Sequence, residues 1–248
     1  MCGRYVLKAP EDISERFQLR QFNLHLSPVY NAAPSMELPV IVENEGGDWE
    51  AKLMRWGLIP RWAKPGDKTV APINARAETL LEKPMFRSLV GRKRCIVPAS
   101  GFYEWKQQQG RKQPYFVSLP DESTFALAGL YDEFQDKDGA PIASYTIVTT
   151  QPNDLMATLH NRMPVILPRR DEEEWLSREV TDPVQVERLL VPFPADAMTA
   201  WPVSPAVNNV RNDDPRLIEP LAEAGSAAPL ASDRSSGNED QQQGKLFD

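Results

Sequence analysis

Between Arg94 and Thr150 the strand-forming stretches follow one another so closely that only a sheet can accommodate them. Arg94–Val97, Gly101–Gln107, Gln113–Leu119, Thr124–Tyr131 and Ser144–Thr150 are short, apolar or β-branched, and separated by turn-forming residues. Gly139, with Asp136 and Asp138, marks a hairpin tip between the last two. Upstream, Leu38–Glu43 and Ala51–Leu58 flank the turn Asn44-Glu45-Gly46-Gly47-Asp48. Leu24–Ser35 reads as a Pro-punctuated loop. Helical patterning is confined to short pieces: Pro10–Arg20, a helix entered from Asn74-Ala75-Arg76-Ala77-Glu78 through Leu80 and Leu81, Gln151–Leu159, Arg169–Glu179 and Pro183–Leu190. Many strands with few helices predict an α+β fold, a single compact domain over residues 1–221 with a mixed, barrel-like sheet and peripheral helices.

Composition narrows the function. The 41% hydrophobic content of 248 residues supports a sizeable core. No apolar run reaches the roughly 18–20 residues a membrane span needs. Lys8, Glu11 and Asp12 interrupt any signal-peptide core. The two cysteines, Cys2 and Cys95, form no disulfide framework, which predicts a reducing, cytoplasmic setting. Two histidines and no Cys-x-x-Cys spacing argue against a zinc site, and no cofactor is expected. The net charge of −7 hides a basic segment. From Lys52 to Arg94 eleven Lys and Arg residues stand against Asp67, Glu78 and Glu82, a local balance of +8, with Trp56 and Trp62 among them. Cations neutralise phosphates and aromatic rings stack unpaired bases, so this fits a single-strand groove. It equally fits a solvated basic face over two core tryptophans.

The first five residues, Met1-Cys2-Gly3-Arg4-Tyr5, carry the sharpest chemistry. With Met1 removed, Cys2 would offer an α-amine and a thiol on adjacent carbons, with ordinary pKa values of about 7.7–8.0 and 8.5. An aldehyde could be trapped as a Schiff base and then as a five-membered thiazolidine. An internal cysteine cannot do this. A frayed terminus without function is the plain alternative.

Six motifs decide between them: Cys2-Gly3-Arg4-Tyr5, Tyr30-Asn31-Ala32-Ala33-Pro34, Arg55-Trp56-Gly57-Leu58-Ile59-Pro60, Ile73-Asn74-Ala75-Arg76-Ala77-Glu78, Gly101-Phe102-Tyr103-Glu104-Trp105 and His160-Asn161-Arg162-Met163-Pro164. In this order, and closing on Val207-Asn208-Asn209-Val210, they resemble the SRAP (SOS response-associated peptidase) family over about residues 2–221. The resemblance implies covalent capture of abasic sites in single-stranded DNA through Cys2. It also implies a compact mixed α/β domain with a positively charged DNA channel, acting close to the nucleoid. By the same transfer Glu104 is the general acid/base that opens the sugar, and His160 assists proton transfer. Asn74 binds the terminal amine or the opened sugar. Arg4 and Arg76 are the implied phosphate ligands and Trp62 a base-stacking platform, with Asn31, Pro34 and Arg162 as further DNA contacts. Plainer roles exist for three of them: an outward-facing Glu104 on an alternating strand, an N-cap for Asn74, a helix-end cap for His160. Two other functions stay open on the residues alone. One is an N-terminal-nucleophile amidohydrolase, at most removing Met1. The other is a passive, non-covalent single-strand binder.

Beyond Leu221 the resemblance ends. Residues 222–242 have a linker's composition, and the chain closes on Gln243-Gly244-Lys245-Leu246-Phe247-Asp248. This resembles the Gln-x-x-Leu-Phe peptide that docks bacterial proteins on the replication sliding clamp, with Gln243, Leu246 and Phe247 as its anchors. A flexible linker of this length reaches about 25 Å. A monomer is expected.

Overall fold

The computed structural model describes residues 2–64, 71–108, 110–121 and 123–221. Lys68 of the basic segment and the tail carrying Gln243, Leu246 and Phe247 lie outside the described residues. Thirteen strands are described: β1 (Tyr5–Leu7), β2 (Val29–Ala32), β3 (Glu37–Glu43), β4 (Trp49–Trp56), β5 (Asn74–Arg76), β6 (Arg94–Ala99), β7 (Gly101–Gln108), β8 (Arg111–Ser118), β9 (Phe125–Gln135), β10 (Pro141–Thr150), β11 (Met163–Pro164), β12 (Ile166–Leu167) and β13 (Thr199–Pro202). The helices are short: α1 (Ile13–Arg16), α2 (Pro84–Val90), α3 (Asp154–Ala157), α4 (Arg169–Leu176) and α5 (Pro183–Glu187).

Five strands close on themselves. β3 runs antiparallel to β4, β4 parallel to β10, β10 antiparallel to β9, and β9 antiparallel to β6. β6 returns to β3 through Ile41 opposite Ile96. The one parallel step in the ring makes the barrel mixed, as expected from the sequence. β5 adds to the C-terminal half of β10, also in parallel. A second sheet, in the order β13-β8-β7-β1-β2, is antiparallel throughout.

Strand alternation divides the core. On one face Ile41, Ile96 and Leu130 meet Ile13, Phe17, Phe86, Leu89, Trp175 and Val186 from the helical pieces. On the other, Val40, Val42, Cys95 and Val97 join Trp56 and Tyr145, and the second sheet contributes Tyr5, Phe102 and Val117. Cys2 belongs to this second cluster.

Several expectations change on inspection. The Leu24–Ser35 segment is not all loop, because β2 takes up Val29–Ala32 and pairs with β1. Asn74 does not cap a helix; it opens β5, and only a 3-10 turn, Ala77–Thr79, follows. The Pro10–Arg20 helix shrinks to a 3-10 turn and the four residues of α1. α4 is less of a surface helix than its charge implies, since Trp175 and Leu176 are buried. Arg94 is not part of a basic surface. It is buried and donates to the carbonyls of Val90, Trp175, Ser177 and Val180, closing the ends of α2 and α4.

Candidate active site

Strand pairing builds the site. β1 and β7 are antiparallel with Tyr5 opposite Phe102, and Tyr103 N–H donates to the Arg4 carbonyl at 3.0 Å. Alternation along β7 sends Tyr103 to one apolar cluster and Phe102 to the cluster that holds Cys2. Glu104 shares the Phe102 face and is 2% exposed, so it is not the outward-facing strand glutamate of the plainer reading. Cys2 itself is fully buried. Burial, first, and the Glu104 carboxylate, second, push its thiol well above the ordinary range, while the terminal ammonium acts the other way. At neutral pH the thiol is therefore protonated.

β5 supplies the third group. Its alternation buries Ala75 and leaves Asn74 and Arg76 on the opposite side. Asn74 Nδ2 donates to the Cys2 carbonyl at 2.9 Å. Its Oδ1 is buried and has no hydrogen-bond partner among the described residues. A buried acceptor left open beside Cys2 is costly unless a donor arrives there.

His160 follows α3 and lies half-buried, with Nδ1 accepting from Arg162 N–H at 3.1 Å. It lines a cleft of about 430 Å³ together with Glu104, Trp105, Lys112 and Asn208. A larger cleft of about 520 Å³ is formed by residues of the 204–217 segment and contains none of the expected catalytic groups. Lys112 and Asn208 line the smaller cleft too, and no sequence pattern marks either as a lining residue. Lys112 sits on β8 opposite Gln107, a position that only the β7–β8 register reveals. Asn208 accepts from Trp105 Nε1 at 2.8 Å, a link across 103 residues.

The expected DNA-binding residues divide into two groups. Arg76, Pro34 and Trp62 are exposed, Trp62 at 64%. Arg4, Asn31 and Arg162 are engaged inside the fold. Arg4 Nη1 donates to Asn31 Oδ1 at 2.7 Å and to the Val207 carbonyl at 3.0 Å, and partial burial lowers its pKa. Asn31 is buried, its amide shared among the carbonyls of Val207, Asn209 and Asn212. Arg162 grips Glu78 with two bonds, at 2.7 and 2.9 Å. Among the described residues no group of three or more His, Cys, Asp or Glu gathers to hold a metal, and no helix is long and apolar enough to cross a membrane.

A closed mixed barrel with a flanking sheet thus brings Cys2, Asn74 and Glu104 together, with His160 beside Glu104 on one cleft. A family model described as SOS response associated peptidase (SRAP) matches residues 1–210, and the chain belongs to that family. Abasic site processing protein YoqW of Bacillus subtilis (strain 168) is 46% identical over 223 residues, covering 88% of this chain and 99% of the relative. Abasic site processing protein HMCES of Rattus norvegicus is 31% identical over 286 residues, covering 95% and 80%. A crystal structure of a protein from Bacteroides thetaiotaomicron superposes with a TM-score of 0.81 at 29% identity, covering 89% and 100% of the two chains. A phage-related protein from Bordetella bronchiseptica gives 0.65 at 28%, covering 82% and 94%.

Proposed function

We propose that this protein senses abasic sites in single-stranded DNA and captures them covalently through Cys2. The observation that carries the reading is the convergence of Cys2, just ahead of β1, with Asn74 of β5 and Glu104 of β7, segments distant in sequence. The names of the relatives support the substrate class. With Met1 removed, Glu104 would open the hemiacetal by moving its proton, exposing the C1′ aldehyde. The Cys2 amine adds to C1′, and loss of water leaves a C=N bond. Sulfur then bonds to the same carbon, the C=N electron pair moves to nitrogen, and the thiol proton ends on that nitrogen. Aldehyde and aminothiol become thiazolidine and water, with no change of oxidation state.

The order follows from electrostatics. A protonated, buried thiol beside a carboxylate is a poor first nucleophile. Once the terminal nitrogen becomes an iminium, its positive charge favours the thiolate next to it. Asn74 Oδ1 is suited to accept from the Cys2 amine, and His160 to protonate the departing hydroxyl. Exposed Arg76 would meet phosphates, while Trp62 and Pro34 would face bases.

Incubating the protein with single-stranded DNA carrying one abasic site should give an adduct that survives denaturation. Cys2→Ala should abolish it, Cys95→Ala should leave it intact, and a retained Met1 or N-terminal tag should block it. A thiazolidine found by mass spectrometry with the tag still attached would sink the mechanism. Residues 1–221 should suffice for capture as a monomer. The tail is assigned to sliding-clamp docking through Gln243, Leu246 and Phe247, which would keep the protein near the nucleoid. A 238–248 peptide that binds the clamp no better than its Leu246→Ala/Phe247→Ala form would end that assignment alone.

A further inference from the structure

We propose that Arg162 and Glu78 are a positioning pair that holds His160 as the tautomer protonated on Nε2 and ties its loop to the strand carrying Asn74. The inference rests on the reading of His160 as a proton-transfer group in capture. Arg162 is an internal anchor through its two terminal nitrogens. Its side chain is about nine-tenths buried, and its Nη1 and Nη2 donate to the two oxygens of Glu78 at 2.7 and 2.9 Å. Nη2 also donates to the Thr149 carbonyl at 2.7 Å. Gln151 Nε2 steadies the same Glu78 oxygen at 3.1 Å. A fork-on-carboxylate pair fixes direction as well as distance.

These anchors lie where two strands end together. Glu78 lies two residues past β5, in the 3-10 turn Ala77–Thr79, and Arg76 of β5 stands opposite Thr149 of β10. Asn74 is four residues before Glu78, and His160 is two before Arg162. One ion pair therefore spans the two segments that deliver Asn74 and His160. Its effect on the imidazole is specific. With the Arg162 guanidinium tip held by Glu78 and the Thr149 carbonyl, its backbone N–H meets His160 Nδ1 at 3.1 Å. An amide N–H can only donate, so Nδ1 must be the acceptor and the neutral ring carries its proton on Nε2. Arg162 also holds the Glu78 carboxyl below the usual carboxylate range, so the pair stays charged at neutral pH.

The first test uses full-length protein labelled with ¹⁵N-histidine, read by NMR above the ring's titration, with His25→Gln for assignment. Wild type should show His160 protonated on Nε2 alone. Glu78→Gln should release the loop and give a mixture of tautomers. Arg162→Lys, which keeps the charge but loses the fork, should do the same. A proton on Nδ1 in wild type, or an unchanged tautomer in a folded Glu78→Gln variant, overturns the proposal. The second test follows adduct formation and reversal. Glu78→Gln should slow the step that His160→Gln slows, by up to about tenfold, and the double variant should be no slower than His160→Gln. Additive effects overturn it. So would tighter, more salt-sensitive binding of Glu78→Gln to single-stranded DNA with a tetrahydrofuran lesion, because a freed Arg162 would then be a phosphate ligand. Wild-type protein that forms no adduct defeats the capture reading instead, and the tautomer experiment still judges the pair.

Discussion

On the proposed mechanism Cys2 is a nucleophile kept in its unreactive form. Burial and the Glu104 charge both favour the thiol over the thiolate, which protects it from oxidation. On that mechanism Glu104 has opposing effects: it suppresses the thiolate, yet it would be the acid/base group that opens the sugar. Glu104→Gln separates them. Single-turnover capture of an abasic site should slow by about 10²-fold, because ring opening loses its proton carrier. With a simple aliphatic aldehyde, which needs no ring opening, the loss should be much smaller. Equal rates for wild type and variant on abasic DNA would remove Glu104 from the mechanism. Arg76 makes a different prediction, being exposed on the same side of β5 as Asn74. Arg76→Ala should weaken binding to single-stranded DNA and reduce the slope of log affinity against log salt by about one charge. A slope that does not move would mean that Arg76 touches no phosphate.

At the level of elements, the second sheet is completed by a strap. Residues 204–218 cross it, and Asn31 on β2 is the buckle, giving two N–H groups to three carbonyls while its oxygen accepts from Arg4. Asn31→Ala leaves these groups buried without partners. The expected cost is about 2–3 kcal/mol in urea unfolding, with new proteolytic cleavage inside 204–218. Cleavage elsewhere, or none, would show that the strap is held by other means. Nothing in the order of residues announces this buckle. The motif Tyr30-Asn31-Ala32-Ala33-Pro34 was legible as important, but its partners lie more than 170 residues away. The same limit explains Lys112 and the Arg162–Glu78 bond. Strand periodicity was legible for β3, β4 and β6–β10, where apolar runs are long enough to register. β1, β2 and β5 are three or four residues each and acquire their identity only by pairing. Gly101 illustrates what sequence leaves silent. A Cβ there would lie 2.1 Å from Phe116 Cζ and 2.8 Å from the Val117 carbonyl, so the strand carrying Glu104 needs a glycine at its start.

For the whole molecule, the excess of positive charge between Lys52 and Arg94 does not become one uniform basic face. Arg94 is internal, Arg61 pairs with Asp132, Lys93 with Glu133, and Lys52 with Glu50. The more consequential ionisable groups are those held neutral inside. Burial raises the pKa values of Cys2, Cys95, Tyr5, Tyr103 and Tyr145 above their ordinary values, and that of Tyr131 to about 12. Tyr5 and Tyr145 share a hydrogen bond of 2.8 Å in the same interior. For each of these acids the folded state binds its proton more tightly than the unfolded chain. Their contribution is therefore complete below the unfolded values, about 8.5 for cysteine and 10 for tyrosine, and is lost as pH rises through the window up to the folded values. Unfolding free energy under reducing conditions should be flat from pH 7 to 8 as far as these groups are concerned. It should then fall by on the order of 4 kcal/mol by pH 10, mostly through the two cysteines. Cys95→Ala, whatever its packing cost at neutral pH, should lose about half of that pH dependence. Urea titrations at pH 7, 8, 9 and 10 on both proteins measure it directly. Stability that stays level to pH 10, or an unaltered slope in Cys95→Ala, would mean that the buried thiols ionise without opening the fold.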